Sequence, residues 1–253
     1  MIVTFLGTGT SQGVPVITCT CEVCRSLDFK DKRLRSSVHI NVDGSSLVID
    51  TGPDFRQQML RERVRKLDAI LFTHEHKDHT AGLDDVRSFN FSQRKDMPIY
   101  GRKHVIAQIK REFAYAFEEV KYPGVPQIAT YEIENKNFTV QDVEVTPIEV
   151  MHHKLPVFGF RIKDFTYITD ANHIPKKELE KISGTKVLVL NALQKTNHVS
   201  HFTLDEAVDL AKEIGAEQTY FTHISHRLGA HAEVNKSLPP GIALAYDGLR
   251  VQL

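Results

Sequence analysis

Residues 74–79 read His-Glu-His-Lys-Asp-His, three imidazoles and two carboxylates in six positions. They follow an apolar run at 69–72 and precede Ala81-Gly82-Leu83, which reads as a helix entry. On an extended segment His74 and His76 project to one side, because side chains alternate with a period of two. Asp78 and His79 come after the chain turns and approach the same point from another direction. Imidazole and carboxylate donors grouped this way suit a borderline-soft divalent metal. By chance the spacing H-x-H-x-D-H would arise roughly 0.002 times in a chain of this length and composition. A second group is Cys19, Cys21 and Cys24, which are all the cysteines of the chain. An odd number of thiols in so short a span makes a poor disulfide framework and a good metal half-site.

The composition narrows the setting for such sites. The chain has 253 residues, 41% hydrophobic and 25% charged, which is globular rather than disordered. Lys+Arg and Asp+Glu are both 32, so the formal charge is zero. That excludes a strong global basic field for nucleic acid or an anionic membrane, and argues against either as a partner. No run reaches the roughly 18 apolar residues of a membrane helix, and the first residues lack the pattern of a secretory signal. With its clustered, reduced cysteines the protein is expected to be cytoplasmic. The oligomeric state stays open, with a homodimer among the options.

The donors need elements to hold them. Strands are expected at 2–6, 38–41, 46–49, 69–72, 131–133, 138–140, 143–150, 158–162, 166–169, 187–190 and 219–222. Asp43-Gly44 supplies the positive φ of a tight hairpin turn. Residues 242–246 and 249–251 read as a last hairpin across Asp247-Gly248. Residues 55–65 read as a helix, and Val105, Ile106, Ile109, Phe113, Ala116, Phe117 and Val120 as one long amphipathic helix. Residues 204–214 form another, entered through Thr203 with Glu206 three positions on. Each half contains a hairpin whose last strand ends in an aspartate, Asp50 or Asp170. The expected architecture is one α/β domain over 1–253, built from two similar β-rich halves with outer helices.

The histidine motif after an apolar strand resembles the signature of the metallo-β-lactamase superfamily. That resemblance implies a four-layer αβ/βα sandwich with the active site at one edge of its two sheets. The run 5–15 (FLGTGTSQGVP), the cysteine cluster, Ile49-Asp50-Thr51-Gly52, Thr222-His223-Ile224-Ser225-His226 and Asp247-Gly248 are similar to the PhnP branch, over nearly the whole chain. Members of that branch are phosphodiesterases of phosphonate breakdown. The resemblance implies a binuclear centre with His74, His76 and His153 on one metal and Asp78, His79 and His223 on the other. Asp170 would bridge them. Of the pair His152-His153, the second stands where the family ligand lies relative to Phe158-Gly159-Phe160. Cys19, Cys21, Cys24 and His226 would bind a separate structural zinc.

The same resemblance implies cleavage of a small, cyclic ribosyl phosphodiester by a hydroxide held between two divalent metals, zinc or manganese. Asp78 and His201 would be the catalytic residues, His201 protonating the leaving oxygen with His198 as rival. Two other readings stand beside it. One is RNA 3′-processing of the tRNase Z type, which the zero net charge and the lack of a long basic, glycine-rich insertion disfavour. The other is a non-catalytic metal-binding member of the superfamily, which the complete donor set disfavours.

Overall fold

The computed structural model describes residues 1–120 and 122–253. In the first half the chain forms β1 (Ile2–Gly7), β2 (Ser37–Val42), β3 (Ser45–Ile49), β4 (Ala69–Leu71), β5 (Met97–Gly101) and β6 (Ile128–Glu132). These lie side by side in chain order in one sheet. Between them run α1 (Glu22–Arg25), α2 (Phe55–Glu62), α3 (Lys77–Thr80), α4 (Arg87–Gln93) and α5 (Lys103–Glu112). In the second half β7 (Phe138–Val140), β8 (Val143–His152), β9 (Leu155–Ile162), β10 (Phe165–Tyr167), β11 (Val187–Asn191), β12 (Gln218–Thr222) and β13 (Ile242–Leu244) make the second sheet, again in chain order. Its helices are α6 (Lys176–Ile182), α7 (Leu204–Ile214) and α8 (His231–Ser237). Finally β14 (Arg250–Gln252) returns to the first sheet beside β1.

Strand alternation sorts the side chains into three apolar layers. Leu47, Ile49, Ala69 and Leu71 point into a core shared with Phe158, Phe160, Val187 and Val189 of the other sheet. Val48 and Ile70, on the opposite face, pack under Phe55, Met59, Ile106 and Ile109 of the helices. Leu188 and Leu190 do the same under Ala207 and Ala211 of α7. Helix, sheet, sheet, helix is the resulting order, the αβ/βα sandwich expected from the motif.

Asp43 and Gly44 take φ of 48° and 78°, as the two central positions of a tight hairpin require. Thr203 and Glu206 form a reciprocal capping box at the start of α7. Three expectations are corrected. The long helix stops at Glu112: Phe113 leaves helical geometry at φ −109° and ψ 37°, and residues 114–116 form a tighter turn. Phe113 and Ala116 stay buried, but Val120 is 87% exposed, so the apolar stripe had nothing to cover there. The helix begun at Phe55 ends at Glu62, where Arg63 turns left-handed at φ 54°. The last two strands are no hairpin, since β13 pairs with β12 and β14 with β1. Asp247 between them crosses from sheet to sheet, and its carboxylate accepts from the Thr8 hydroxyl and the Leu34 N–H at 2.8 Å each.

Candidate metal centre

The donors gather at one end of both sheets because their strands stop there. Asp50 follows β3, Asp170 lies just past β10, and His223 follows β12. All three have positive φ, 63°, 55° and 55° respectively. Aspartate and histidine tolerate this left-handed region better than bulkier residues, and it turns each side chain across the strand end. The loop carrying residues 74–79 is locked against the Asp50-Thr51-Gly52 segment. Thr51 N–H donates to His79 O at 2.8 Å and Gly82 N–H to Thr51 O at 2.8 Å. The approach is so close that a Cβ at Gly52 would overlap the Asp78 carbonyl oxygen.

Two donor sets result. His74, His76 and His152 form the first, and Asp78, His79, Asp170 and His223 the second, with the donor atoms of each set within 4.8 Å of one another. Asp170 faces both. Its Oδ2 lies 3.2 Å from His79 Nε2 and 3.1 Å from His223 Nδ1. Its Oδ1 lies 3.0 Å from His201 Nε2, and His152 shares a further donor set with Asp170 and His201. His79 Nε2 is buried, has no well-formed hydrogen bond, and lies 3.2 Å from oxygens of both Asp78 and Asp170. An imidazole nitrogen between two carboxylates, with four further imidazoles in the two sets, is a donor arrangement that fits divalent cations.

The imidazoles are oriented from behind. Thr73 Oγ1 donates to Asp50 Oδ2 at 2.8 Å, so at 2.9 Å it accepts from His74 Nδ1–H. His79 Nδ1–H donates to Asp50 Oδ2 at 2.7 Å, and His152 Nδ1–H to the Ser200 carbonyl at 2.9 Å. In His74 and His152 this leaves Nε2 as the lone pair, and in His79 it turns Nε2 toward the centre, which is how partners behind a metal-binding histidine orient it. Asp50, fully buried, therefore governs two ligand candidates at once. Reading the sequence assigned it no role, although its strand-end position mirrors that of Asp170.

Charge and burial work against each other here. Burial holds His74 well below its ordinary value, with the neighbouring His79 charge adding to the effect. Burial likewise pulls His223 down to about 4. Burial opposes charge on His79 as well, but Asp78, Asp170 and Asp50 hold it well above the usual imidazole range. Burial opposes the Asp170 carboxylate, yet His223, His79 and the His201 hydrogen bond hold it well below the usual range. The site thus keeps its carboxylates ionised inside protein, a concentration of negative charge that a bound cation would neutralise.

The cysteines meet a histidine from the far end of the chain. His226 Nδ1 lies 3.2, 3.4 and 3.5 Å from the sulfurs of Cys19, Cys21 and Cys24. A tetrahedral zinc bound by sulfur and nitrogen would hold them about 3.6 Å apart. The Cys24 N–H and His226 draw the Cys21 thiol down to about 6, whereas burial pushes Cys24 up to about 11. None of the three is in a disulfide.

Of the histidines expected in the binuclear cluster, His153 is the one the structure does not bring there. Along β8, Ile148 and Val150 face the helix layer, and His152 continues that row toward Ser200. His153 sits in the turn that follows, at φ 56°, exposed, its N–H donating to Asn172 Oδ1 at 2.8 Å. The strand's alternation, which one residue of register decides, selects His152. His201 lies buried against Asp170, and His198 stands behind it with Nδ1 3.1 Å from His201 Nδ1. A cleft of about 210 Å³, lined in part by Thr10, Gln12, Gln194, His198 and Arg227, extends from here to His226. Nearby, Arg33 is buried, and Arg35 pairs with Asp54 at 3.0 Å.

Comparison with known proteins agrees with this architecture. A family model described as a beta-lactamase superfamily domain matches residues 46–224. The crystal structure of a diphosphatase from the PhnP family superposes with a TM-score of 0.93 at 40% identity, covering 100% of this chain and 97% of that one. A zinc-bound PqqB from Methylobacterium extorquens gives 0.80 at 20% identity over the whole of both chains, a likeness of fold. Among curated sequences, an octanoyltransferase of Porphyromonas gingivalis is 39% identical over 96% of this chain and 50% of its own length. A ribonuclease Z of Staphylococcus epidermidis is 29% identical over 64% of this chain and 49% of its own. The chain therefore spans about half the length of the curated relatives it matches.

Proposed function

Because the chain belongs to the metallo-β-lactamase superfamily, and within it to the PhnP family, we propose that it is a metal-dependent hydrolase of a small phosphodiester. The observation that carries this reading is Asp170, whose Oδ2 lies against His79 and His223 and whose Oδ1 lies against His201 in a group that also holds His152. In this reading His74, His76 and His152 would hold one divalent metal and Asp78, His79 and His223 the other, with Asp170 available to both. Cys19, Cys21, Cys24 and His226 would hold a structural zinc, tying the loop after β1 to the segment after β12. When bound, the metal pair supplies Lewis-acid pull on the phosphoryl oxygens and acidifies water at the site.

The chain's own groups do the rest. Asp50, Thr73 and the Ser200 carbonyl hold the ligand imidazoles in the tautomer that turns Nε2 inward. His201 donates its Nε2 proton toward Asp170 and stands where it can deliver a proton to a departing oxygen. Ser200 and His198 lie within 3.1 Å of its other nitrogen and keep the ring in place. The substrate beyond phosphorus would lie in the cleft of Gln12, Gln194 and Arg227, where the Arg227 guanidinium has no partner among the described residues. The substrate is taken to be a cyclic ribosyl phosphate.

A second reading, hydrolysis of a diphosphate linkage, is favoured by the likeness to the PhnP-family diphosphatase at 40% identity. The ribonuclease Z relatives supply a third substrate class for the same test. Hydrolysis of bis(p-nitrophenyl) phosphate is measured with zinc or manganese, beside a pyrophosphate diester, a cyclic ribosyl phosphate and a tRNA precursor. Turnover that Asp78→Ala abolishes, greatest on the phosphodiesters, is the expected result. Wild-type turnover no higher than that of Asp78→Ala would end the phosphodiesterase reading. Preference for the diphosphate or the RNA would replace it with the corresponding alternative.

A further inference from the structure

The strands that end at the metal centre carry a second pocket at their other end. It has a volume of about 430 Å³ and is lined by Thr4, His39, Ser46, Arg63, Arg65 and Arg250, among others. Ser46 and Asp50 are four residues apart along β3, so about 13 Å of strand separates this pocket from the metal-binding edge. Nothing in the proposed hydrolysis uses it.

Its charge is one-sided. Arg63, Arg65, Lys66 and Arg250 line it against a single carboxylate, Glu62. Glu62 is already answered by Arg61 at 2.8 Å and Arg250 at 3.2 Å, and Lys66 pairs with Asp68 at 2.9 Å. Arg63 and Arg65 are exposed and have no ion pair or hydrogen bond from their side chains among the described residues. Two uncompensated guanidinium groups on one rim hold a positive potential over the pocket, in a chain whose net charge is zero.

The floor is polar where a sheet face would ordinarily be apolar. Thr4 is 4% exposed, and its hydroxyl has no hydrogen-bond partner among the described residues. The hydroxyl is open to the pocket, so it is free to donate to a group bound there. Ser46 Oγ donates to the Lys66 carbonyl at 2.6 Å, so at 2.8 Å it accepts from His39 Nε2–H. His39 Nδ1 therefore remains an acceptor. Burial holds His39 down to about 4, so it is neutral near pH 7. Guanidinium forks above, with one hydroxyl donor and one imidazole acceptor below, match a group that has both oxyanion and O–H. A carboxylate or sulfate lacks the O–H; a hydrogen phosphate has it.

We propose that this pocket is a second anion site, which takes the phosphate group of a small phosphorylated ligand. The test uses zinc-loaded protein and inorganic phosphate as the probe, with potassium chloride at matched ionic strength as the reference. Backbone amide shifts are followed by NMR at Thr4, His39, Asn41 and Ser46. They are expected to saturate with phosphate, and to need at least tenfold more of it in an Arg63→Asn, Arg65→Gln double variant. Asparagine tolerates the positive φ at 63, and both positions are exposed, so the fold is kept. Turnover of bis(p-nitrophenyl) phosphate should be the same in both proteins, since neither arginine touches the metal centre. Absence of shifts at these four amides, or an equal phosphate affinity in the double variant, would overturn the proposal.

Discussion

Asp50→Asn alters the group behind His79 and, through Thr73, His74, without replacing a ligand candidate. In the native protein Asp50 Oδ1 accepts from the Thr73 N–H at 2.9 Å, and Oδ2 accepts from the Thr73 hydroxyl and from His79 Nδ1–H. The backbone N–H can only donate, so an asparagine must place its oxygen there. Its Nδ2 then occupies the Oδ2 position, 2.7 Å from His79 Nδ1. Two donors meet. Relief requires His79 to move its proton to Nε2, the atom 3.2 Å from Asp78 and Asp170 that would have to bind metal. Loss of such an orienting partner costs about ten- to a hundredfold in metal affinity, or about 1.4 to 2.7 kcal/mol. The measurement is competition against a chromogenic zinc chelator on stripped and reloaded protein, with turnover at saturating metal recorded beside it. Circular dichroism of the same sample establishes that the variant is folded. The site of Asp78, His79 and His223 should lose affinity by that factor. Affinity and turnover within a factor of two of the native protein would show that Asp50 does not set the His79 tautomer.

Three further outcomes are expected from other parts of the fold. Cys24→Ser should lower the zinc content by one equivalent and leave the affinities of the other sites unchanged, because the sulfur set lies on a separate loop; metal analysis by mass spectrometry checks it. Gly52→Ala should weaken metal binding and lower the thermal midpoint together, since the added methyl overlaps the Asp78 carbonyl and must push the 74–79 loop away. His39 is held down to about 4 against an ordinary 6.5, so its neutral form contributes stability that is complete above pH 6.5 and is lost as the pH falls toward 4. The loss approaches about 3 kcal/mol for that one group, and denaturant unfolding from pH 8 to 4.5 should show a shallower acid decline in His39→Gln than in the native protein.

Much of this molecule is written in local pattern. The alternation of residues 46–49 and 69–72, the Asp43-Gly44 turn and the Thr203–Glu206 cap each name their own structure, because each depends on neighbours along the chain. The donor types were legible too. His74, His76, Asp78 and His79 stand together in sequence, and three cysteines in six residues ask for a fourth ligand. Asp170, His223 and His226 were found through resemblance to a family, since spacing alone cannot bring residues from distant strands to one edge.

Tertiary structure decided what depends on register, packing and geometry across the chain. His152 rather than His153 faces the cluster because β8 runs two residues past the expected 143–150, which puts His152 on the face of Ile148 and Val150. The helix that begins at Lys103 stops at Glu112, where Phe113 leaves helical geometry although it and Ala116 stay buried. The last two strands part to different sheets through Asp247, a choice made by hydrogen bonds to Thr8 and Leu34 more than 200 residues away. Asp50 acquires its role only when Thr73 and His79 close on it. Short-range sterics and side-chain periodicity act on each segment by itself, so sequence reveals them. Which face, which tautomer and which partner are set by groups that meet only after the two sheets have stacked.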